Sequence, residues 1–317
     1  MIDERNGVNY ANLKGYNRDG SPVFNKKIVE INVLNKRTNS EKVVFGIVFA
    51  IFVIHSFTLI FPTLWMLMSS FKGALEYAGG DPFALPAEWK WKNFIDAFTM
   101  LNVGQTTFFG MIFNSLWYTL LVTGLGAFIP SITGYVMSKY NFPGRNVIFT
   151  IAIACMTIPI VGAGASYIKL ISALGLYNNP MYVVITNLGG FGGSFLVYYG
   201  FFKSVSWSYA EAAKIDGANP FMIFFEIMLP MAVPIILTYA ITGAIGAWNE
   251  YQTMILYLPD YPTLAYGLFE YQANAIRMAN YPVYFAGLMI SMLPTLILFG
   301  TCSSKIMTSL SLGGLKG

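Results

Sequence analysis

Polar side chains inside long apolar stretches are the first places to look for chemistry in this sequence. Five candidates are Asn114, Ser115, Asn187, Asn249 and Glu250. Amide, hydroxyl and carboxyl groups hydrogen-bond polar solutes, and such groups within a membrane often mark a solute path. Glu250 lies toward the end of its stretch, so simple exposure to water is the alternative explanation for it. We therefore predict that these residues line a path for a polar solute.

Enzymatic chemistry has little support in the sequence. It contains neither a His-Glu-x-x-His nor a Gly-x-Ser-x-Gly motif, and no acids cluster within the apolar stretches. Cys155 and Cys302 lie in apolar segments without a Cys-x-x-Cys pair, which argues against zinc or redox chemistry. His55 lies in an apolar run, where packing or contact with a membrane is favoured over a functional role. We predict no catalytic residue and no metal site.

The composition is that of an integral membrane protein. The chain has 317 residues, of which 56% are hydrophobic and 11% are charged, whereas soluble domains carry about 25% charged residues. The mean hydropathy is +0.56. The net charge of +4 is modest and gives no reason to expect nucleic acid as a partner. The elements that position the polar candidates are therefore predicted to be membrane-spanning helices.

Six stretches are long and apolar enough to cross a bilayer, which takes about 20 residues in a helix. They are residues 43–68, 108–137, 147–167, 181–201, 231–256 and 283–307. The third contains Pro159, and the fourth contains the run Gly189-Gly190-Phe191-Gly192-Gly193. Both features are tolerated in membranes, because neighbouring helices and waters satisfy the freed backbone groups. The prediction is an all-α membrane protein with six transmembrane helices.

The distribution of lysine and arginine favours both termini on the cytoplasmic side. That orientation places 14 basic residues inside and 5 outside, in keeping with the excess of positive charge in cytoplasmic loops. The cytoplasmic parts are then the N-terminal tail 1–42, the loops 138–146 and 202–230, and the C-terminal tail 308–317 together with Lys305. The preference depends mainly on the tail 1–42, which holds eight of the basic residues.

Two further segments have competing interpretations. The polar tail 1–42 shows no cleavable signal peptide, and a disordered tail is favoured over a regulatory or docking segment. A short surface helix over residues 28–34 is the one element considered for it. In the long external loop, Trp89 and Trp91 are either anchors at the membrane interface or part of a docking face for a partner.

The loop 202–230 and the residues after it carry the most detailed local signals. Ser208 and Glu211 have the spacing of a capping box, which predicts Ser208 as the N-cap of a helix. Asp216-Gly217 predicts its end, with glycine in the left-handed conformation. Asn219-Pro220 predicts a second helix start, and Leu229-Pro230 predicts its end. The prediction is a helix–turn–helix on a membrane surface that could lie in another protein's groove.

The same residues resemble a known signature. Glu211-Ala212-Ala213, then Gly217, then Ile227 and Leu229-Pro230 follow the spacing of the EAA loop of ABC importer permeases. Weaker similarities point to the smaller membrane subunit of maltose-type carbohydrate importers. These are Asn93-Phe94, Asn114-Ser115, Leu174-Gly175-Leu176, Trp248-Asn249-Glu250 and the terminal Gly313-Gly314-Leu315-Lys316-Gly317. The resemblance covers residues 43–317 and leaves the long N-terminal tail unexplained.

The resemblance implies a type I importer bundle in a bacterial cell membrane, with a cytoplasmic coupling helix in the loop 202–230. The implied partners are a second permease, two ATPase subunits and an external solute-binding protein. The sequence has no Walker A motif, so ATP is expected to be used by the ATPase and no cofactor by this chain. The residues implied to couple to the ATPase are Glu211, Ala212, Ala213, Asp216, Gly217, Ile227, Leu229 and Pro230. Glu211 is either a capping residue or a surface acid that pairs with the ATPase, and Asp216 is favoured as a turn residue.

Other functions are weighed against a sugar importer. The nearest alternative is a permease of the same superfamily for peptides or polyols, which the sequence separates only weakly. A membrane-embedded enzyme lacks the required motifs. An aquaporin-like channel is disfavoured, because Asn179-Pro180 and Asn219-Pro220 lack the following alanine. A structural or receptor-like membrane protein would not need a capped helix with small side chains.

Overall fold

The structure is a computed structural model. It describes residues 2–3, 8–9, 13–16, 22–24, 39–158, 162, 164–278 and 280–314. The chain divides into two units, Met1–Thr63 and Leu64–Gly317. We describe each unit by itself and call the second one the helical unit.

The first unit contains short strands and the beginning of a long helix. Strand β1 (Ile2–Asp3) pairs with β2 (Val8–Asn9), and β3 (Leu13–Tyr16) pairs with β4 (Pro22–Phe24), both antiparallel. Helix α1 (Asn39–Ser70) begins four residues before the predicted span. Strand pairs were not part of the expected disordered tail, and the surface helix considered over 28–34 lies outside the described residues.

The described helices of the helical unit follow in chain order after α1. They are α2 (Ala74–Gly79), α3 (Lys92–Met100), α4 (Phe108–Lys139), α5 (Arg145–Thr157), α6 (Gly164–Ala173), α7 (Met181–Asn187), α8 (Gly193–Ser204), α9 (Ser208–Ile215), α10 (Pro220–Met222), α11 (Leu229–Trp248), α12 (Gln252–Tyr257), α13 (Leu264–Met278) and α14 (Tyr281–Gly314). A π-helical turn, Ile223–Met228, joins α10 to α11.

Four helical stretches are long and apolar enough to cross a membrane among the described residues. They are Ser40–Ser70, Phe108–Lys139, Pro220–Trp248 and Tyr281–Cys302. They correspond to the first, second, fifth and sixth predicted spans, so the prediction of an almost entirely helical membrane protein is confirmed. The count of six spans stays a prediction. Helix α14 also continues past 307 into the segment expected to be a tail.

The third and fourth predicted spans differ from single helices. Each consists of two shorter helices, α5 with α6 and α7 with α8. Glycine explains the break between α7 and α8, since residues 188–192 contain three glycines and Gly190 has a φ of +65°. Such a backbone conformation is unfavourable for other residues. Pro159, which separates α5 from α6, lies outside the described residues.

Helices α4 and α11 form the centre of the helical unit, with α8 against α4 and α14 against α11. Buried side chains gather around them in three clusters. One cluster joins α3, α13 and α14 near the start of α4 through Leu101, Phe108, Met111, Leu264 and Val283. A second lies at the other end of α4 and includes Tyr135, Tyr198, Phe202, Ile223 and Met228. A third joins α4 to α6, α7 and α12.

The broken segment α7–α8 is held closely against α4. The Thr133 hydroxyl donates to the Gly190 carbonyl oxygen at 2.7 Å. A Cβ atom on Gly134 would lie 2.7 Å from the Cβ of Tyr198. Helices α4 and α8 therefore come into contact at this glycine, where any larger residue would clash. Small residues allow membrane helices to approach in this way. The break between the half-helices is therefore fixed in place by the helix that it faces.

The long loop after α1 is an ordered structure built around a buried lysine. The Lys72 ammonium group donates to the carbonyl oxygens of Asp81 and Pro82 at 3.0 and 3.1 Å. The Asn93 side-chain amide donates to the Ser70 and Lys72 carbonyl oxygens at 2.8 and 2.9 Å. These bonds fasten α2 and α3 to the end of α1. Trp89 and Trp91 both pack against Phe71 while remaining largely exposed.

Candidate functional site

The start of α9 differs from the predicted capping box. Trp207 occupies the N-cap position in a helical conformation and forms no side-chain cap bond. Ser208 thus lies inside the first turn, so the prediction of Ser208 as the N-cap is wrong. The physical reason is a second serine, because the Ser206 hydroxyl accepts from the Ser208 N–H at 3.3 Å and starts the turn earlier. Glu211 is exposed on the first turn.

The end of α9 has the predicted geometry. Gly217 adopts a φ of +87°, in the left-handed region. Its N–H donates to the Lys214 carbonyl oxygen at 3.1 Å, and the Ala218 N–H donates to the Ala213 carbonyl oxygen at 2.9 Å. This pair of bonds is a Schellman motif, which satisfies carbonyl groups that the helix end leaves open. Asp216 is the exposed C-cap residue just before it.

The second helix begins as predicted but does not end as predicted. The Asn219 side-chain oxygen accepts from the Met222 N–H at 2.9 Å, and Pro220 occupies the first turn. The helix then runs without interruption from Pro220 to Trp248. Leu229-Pro230 therefore does not end it, and that prediction is wrong.

The π-helical turn explains how the helix passes Pro230. Proline cannot make the usual bond to the residue four positions back, and its ring crowds that carbonyl group. In the π-helical turn Ile223–Met228 each bond spans five residues, so the backbone can rearrange just ahead of the proline. Ile227 and Leu229 are partly buried within and after this turn. The loop 202–230 is thus mechanically continuous with the fifth predicted span.

Helix α9 has one buried side and one exposed side. Ala210 and Ala213 are buried in the cluster with Tyr198, Phe202 and Ile223. Ala212 faces outward, and Ile215 is 87% exposed, an unusual environment for a large apolar side chain at a structured turn. Phe221, in the next helix α10, is 76% exposed. We call Tyr209, Ala212, Ile215 and Phe221 the exposed face of the loop 202–230.

The loop 202–230 is attached to the end of α4. The Lys139 ammonium group donates to the Val205 carbonyl oxygen just before α9. Tyr140 and Trp207 meet edge to face with ring centroids 5.9 Å apart. The ring centroids of Tyr135 and Phe224 are 4.9 Å apart. Since α4 also packs along α11, movement of the loop would act on both long helices.

Asn114 and Ser115 tie α4 to the loop before α13. The Asn114 side-chain amide donates to the Pro262 carbonyl oxygen at 3.0 Å and accepts from the Trp117 indole at 3.1 Å. Ser115 is fully buried, and its hydroxyl accepts from the Leu264 N–H at 2.8 Å. Both side chains thus have a structural role, and their place in a solute path stays a prediction.

Asn249 and Glu250 lie where α11 ends. The Asn249 side chain caps the helix by donating to the Ile245 carbonyl oxygen at 2.8 Å. The Glu250 carboxylate accepts from the Thr253 N–H at 3.0 Å at the start of α12. The neighbouring Trp248 donates from its indole to the Ser291 carbonyl oxygen at 3.0 Å, which joins α11 to α14. This Trp-Asn-Glu sequence stabilises a corner, and a role in solute contact stays a prediction.

Asn187 is the predicted path residue that borders an open recess. It ends α7 and lies beside Thr123 of α4 and Tyr239 and Thr242 of α11, around a recess of about 330 Å³. The structure does not bring Asn187 together with Asn114 or Glu250, which belong to other contacts. Thr123, Tyr239 and Thr242 were not among the residues predicted from the sequence. The signal that could have found them is their position near the middle of long apolar helices.

The sequence of the helical unit matches a known family. The model of the binding-protein-dependent transport system inner membrane component matches residues 126–311. The chain belongs to this family. It is accordingly embedded in a membrane and is a transport component, not an enzyme. The match includes the loop 202–230, α7, α8 and Asn187, but not Thr123.

Curated relatives share most of the chain. It is 31% identical over 268 residues to the diacetylchitobiose uptake system permease protein NgcG of Streptomyces coelicolor, covering 83% of this chain and 86% of that protein. It is 28% identical over 274 residues to the arabinooligosaccharides transport system permease protein AraQ of Halalkalibacterium halodurans, covering 84% and 94%.

Solved structures share the fold. One chain of a bacterial ABC transporter involved in the import of the acidic polysaccharide alginate superimposes with a TM-score of 0.68 at 25% identity, covering 85% of this chain and 98% of that one. A second chain, from an alginate ABC transporter in complex with an alginate pentasaccharide-bound periplasmic protein, gives a TM-score of 0.56 at 16% identity. The helical arrangement is therefore that of ABC importer permeases.

Proposed function

We propose that this protein is the membrane-spanning permease subunit of an ATP-driven, binding-protein-dependent importer of oligosaccharides. The observation that carries the proposal is the family match over residues 126–311 together with relatives named for the uptake of diacetylchitobiose and arabinooligosaccharides. The chain forms the translocation pathway with a second, homologous permease. A solute-binding protein outside the cell delivers the sugar.

The loop 202–230 is the docking site for an ATPase subunit. Its exposed face presents Ile215 and Phe221 to the surroundings, and burial of such side chains in a groove would be favourable by about 1.5–3 kcal/mol each. Glu211 is not engaged in the expected capping box, which supports its role as a surface acid toward a basic ATPase residue. Because the helix is continuous from Pro220 to Trp248, movement of the groove moves the span directly.

This role fixes the orientation of the chain in the membrane. The ATPase needs ATP from the cytoplasm, so the loop 202–230 lies on the cytoplasmic side. Both termini then lie on the same side, in agreement with the excess of lysine and arginine there. The ordered loop between α1 and α4, with α2 and α3, faces outward in this arrangement and is available to the binding protein.

Uptake by a reconstituted complex tests the proposed function. The chain is placed in proteoliposomes with the second permease and ATPase that it co-purifies with, ATP inside, and the binding protein outside. We expect ATP-dependent uptake of labelled diacetylchitobiose, arabinotriose or raffinose that requires the binding protein. Uptake of a dipeptide or a polyol but of none of these sugars would replace the sugar proposal with another solute. Uptake without ATP would contradict the proposed function.

A further inference from the structure

The recess between α4, α7 and α11 has the chemistry of a sugar site. We propose that Thr123, Asn187, Tyr239 and Thr242 form a binding subsite for one neutral sugar ring of the transported oligosaccharide. The proposal rests on the function proposed above and adds the residues and the class of substrate. The recess is open and has a volume of about 330 Å³, at the lower end of the range of about 300–1,000 Å³ that is usual for small-molecule sites.

The position of the recess along the helices places it deep in the membrane. Thr123 lies near the middle of α4, which extends from Phe108 to Lys139. Asn187 ends α7 where the membrane segment breaks, and five residues separate it from Gly193, where α8 begins. Interrupted membrane helices of transporters typically place substrate sites at such depths. Polar groups there are costly to expose to lipid, which favours a water-filled path beside them.

The polar groups around the recess retain hydrogen-bonding capacity. The Asn187 amide nitrogen donates to the Val183 carbonyl oxygen at 2.8 Å, which leaves the side-chain oxygen without a partner in the described part of the chain. The Thr242 hydroxyl donates to the Thr238 carbonyl oxygen at 2.9 Å and can still accept. The Thr123 hydroxyl oxygen has no partner among the described residues, but it is buried, so Thr123 contributes a wall of the recess and not a group that is open to a ligand. The side chains of Asn187 and Thr242 therefore supply the hydrogen-bonding capacity.

The remaining walls suit the flat face of a sugar ring. Gly126 and Gly243 line the recess and add no side chain. Tyr239 supplies an aromatic wall, and its ring is positioned by the fully buried Tyr198 with centroids 5.6 Å apart. An aromatic ring packs against the apolar C–H face of a sugar, while amide and hydroxyl groups bond its hydroxyls. This combination distinguishes a sugar from an apolar ligand.

Charge sets the class of sugar. None of the residues that line the recess is charged. A uronate buried here would have no cation to balance its carboxylate, which carries a large desolvation cost. The recess therefore favours a neutral sugar ring over an acidic one. This differs from the acidic polysaccharide named for the structurally similar alginate transporter.

Cysteine labelling tests whether the recess faces the path. The starting protein is the full transporter with Cys155→Ser and Cys302→Ser, since both native cysteines are free. Thr242→Cys is expected to react with a water-soluble methanethiosulfonate reagent and to be protected by the transported neutral sugar. Leu120→Cys is the control, because Leu120 is exposed on the same long helix as Thr123 but does not line the recess. Absence of labelling at Thr242→Cys, or equal labelling and protection at both positions, would overturn the proposal.

Substitutions test the bonds to the sugar. Thr242→Val and Asn187→Leu keep similar volumes and remove hydrogen-bonding groups. We expect the amount of raffinose, diacetylchitobiose or arabinotriose moved per ATP to fall about fivefold or more, with ATP hydrolysis stimulated by the binding protein retained. Thr242→Ser should restore transport. Unchanged transport in both variants, or import of an alginate trisaccharide in preference to the neutral sugars, would contradict the subsite. Loss of uptake and stimulation in the unmodified transporter would instead contradict the proposed function.

Discussion

The Ala218 N–H donates to the carbonyl oxygen of Ala213 across 2.9 Å, and this bond closes the end of α9. It exists because Gly217 between them takes a left-handed conformation. The turn sets the angle between α9 and the long helix that starts at Pro220. In the proposed importer, that angle determines how the exposed face of the loop 202–230 is presented to the ATPase.

Gly217→Val is expected to uncouple transport without preventing membrane insertion. The space around Gly217 is open, so the effect acts through the backbone, where a left-handed conformation costs a β-branched residue at least about 1–2 kcal/mol. Gly217→Asn is the matched control, since asparagine tolerates this conformation. The measurement is sugar uptake per ATP hydrolysed by the reconstituted complex. Equal uptake for both variants would show that the turn geometry is not needed.

Ile215→Glu is expected to weaken attachment of the ATPase by at least about tenfold, because it removes apolar contact and adds a charge to the buried part of an interface. Leu75→Glu on α2 is the control. Leu75 is 89% exposed and Ile215 is 87% exposed, but Leu75 lies outside the loop 202–230. The quantity to measure is the ATPase retained on the purified chain. The same loss for both substitutions would argue against docking at the exposed face.

Removal of Glu226 is expected to be tolerated. The π-helical turn Ile223–Met228 holds one residue more than an α-helix of the same length, and Glu226 in it is exposed. Deletion of Glu226 therefore restores hydrogen bonds between residues four positions apart. The helical segments before and after the turn keep the faces that they bury. Removal of Ala240 from the regular part of α11 should rotate all preceding residues by about 100° and disrupt packing against α4. Assembly of the complex in size-exclusion chromatography distinguishes them. If both deletion variants fail to assemble, or if both assemble, the interpretation of the π-helical turn as an inserted residue would be contradicted.

Gly134→Ala is expected to destabilise the contact between α4 and α8 by about 1–3 kcal/mol. The added Cβ would lie 2.7 Å from the Cβ of Tyr198 and 2.9 Å from the backbone nitrogen of Tyr199, neither of which can move freely. Gly124→Ala on the same helix is the control, since open space surrounds that position. Thermal midpoints in detergent check the difference. A midpoint for Gly134→Ala as high as that of Gly124→Ala would contradict the close approach.

Glu76→Gln is expected to destabilise the external loop in a pH-dependent way. The N–H groups of Ala87 and Gly73 donate to the Glu76 carboxylate at 2.7 and 3.1 Å and lower its pKa. A lowered folded-state pKa means that this stabilisation is complete above the unfolded pKa of about 4.3 and is lost as the pH falls through the folded value. The thermal midpoints of the two proteins should differ at pH 7 and converge once the pH falls below the lowered folded-state pKa of Glu76. A gap that widens toward acid would reverse the expected sign.

Much of the fold follows from the sequence because its signals are local. The long apolar runs predict α1, α4, α11 and α14. Gly217 and Asn219 predict the turn, since each conformation depends on one or two neighbouring residues. The start of α9 could not be predicted as well, because two serines two residues apart compete for the same role and only the geometry chooses Ser206.

The recess shows why the rest of the site is harder to predict. Thr123 and Tyr239 are 116 positions apart and meet only because α4 packs along α11. In sequence each is an ordinary residue in an apolar helix. Asn187 was found because an amide within an apolar run is conspicuous. Asn114 and Ser115 are equally conspicuous, yet they bond the backbone of a distant loop, a role that no local pattern reveals.

Cross-linking between the exposed face and the ATPase tests whether the loop 202–230 docks on the ATPase. In the background without native cysteines, Ala212→Cys is combined with a photoactivatable thiol reagent in the assembled transporter, and the product is sequenced. We expect a cross-link to an ATPase chain with a Walker A motif, and none from Leu75→Cys on the other side of the membrane. A fully active transporter that contains this chain alone, with no ATPase to cross-link, would contradict it.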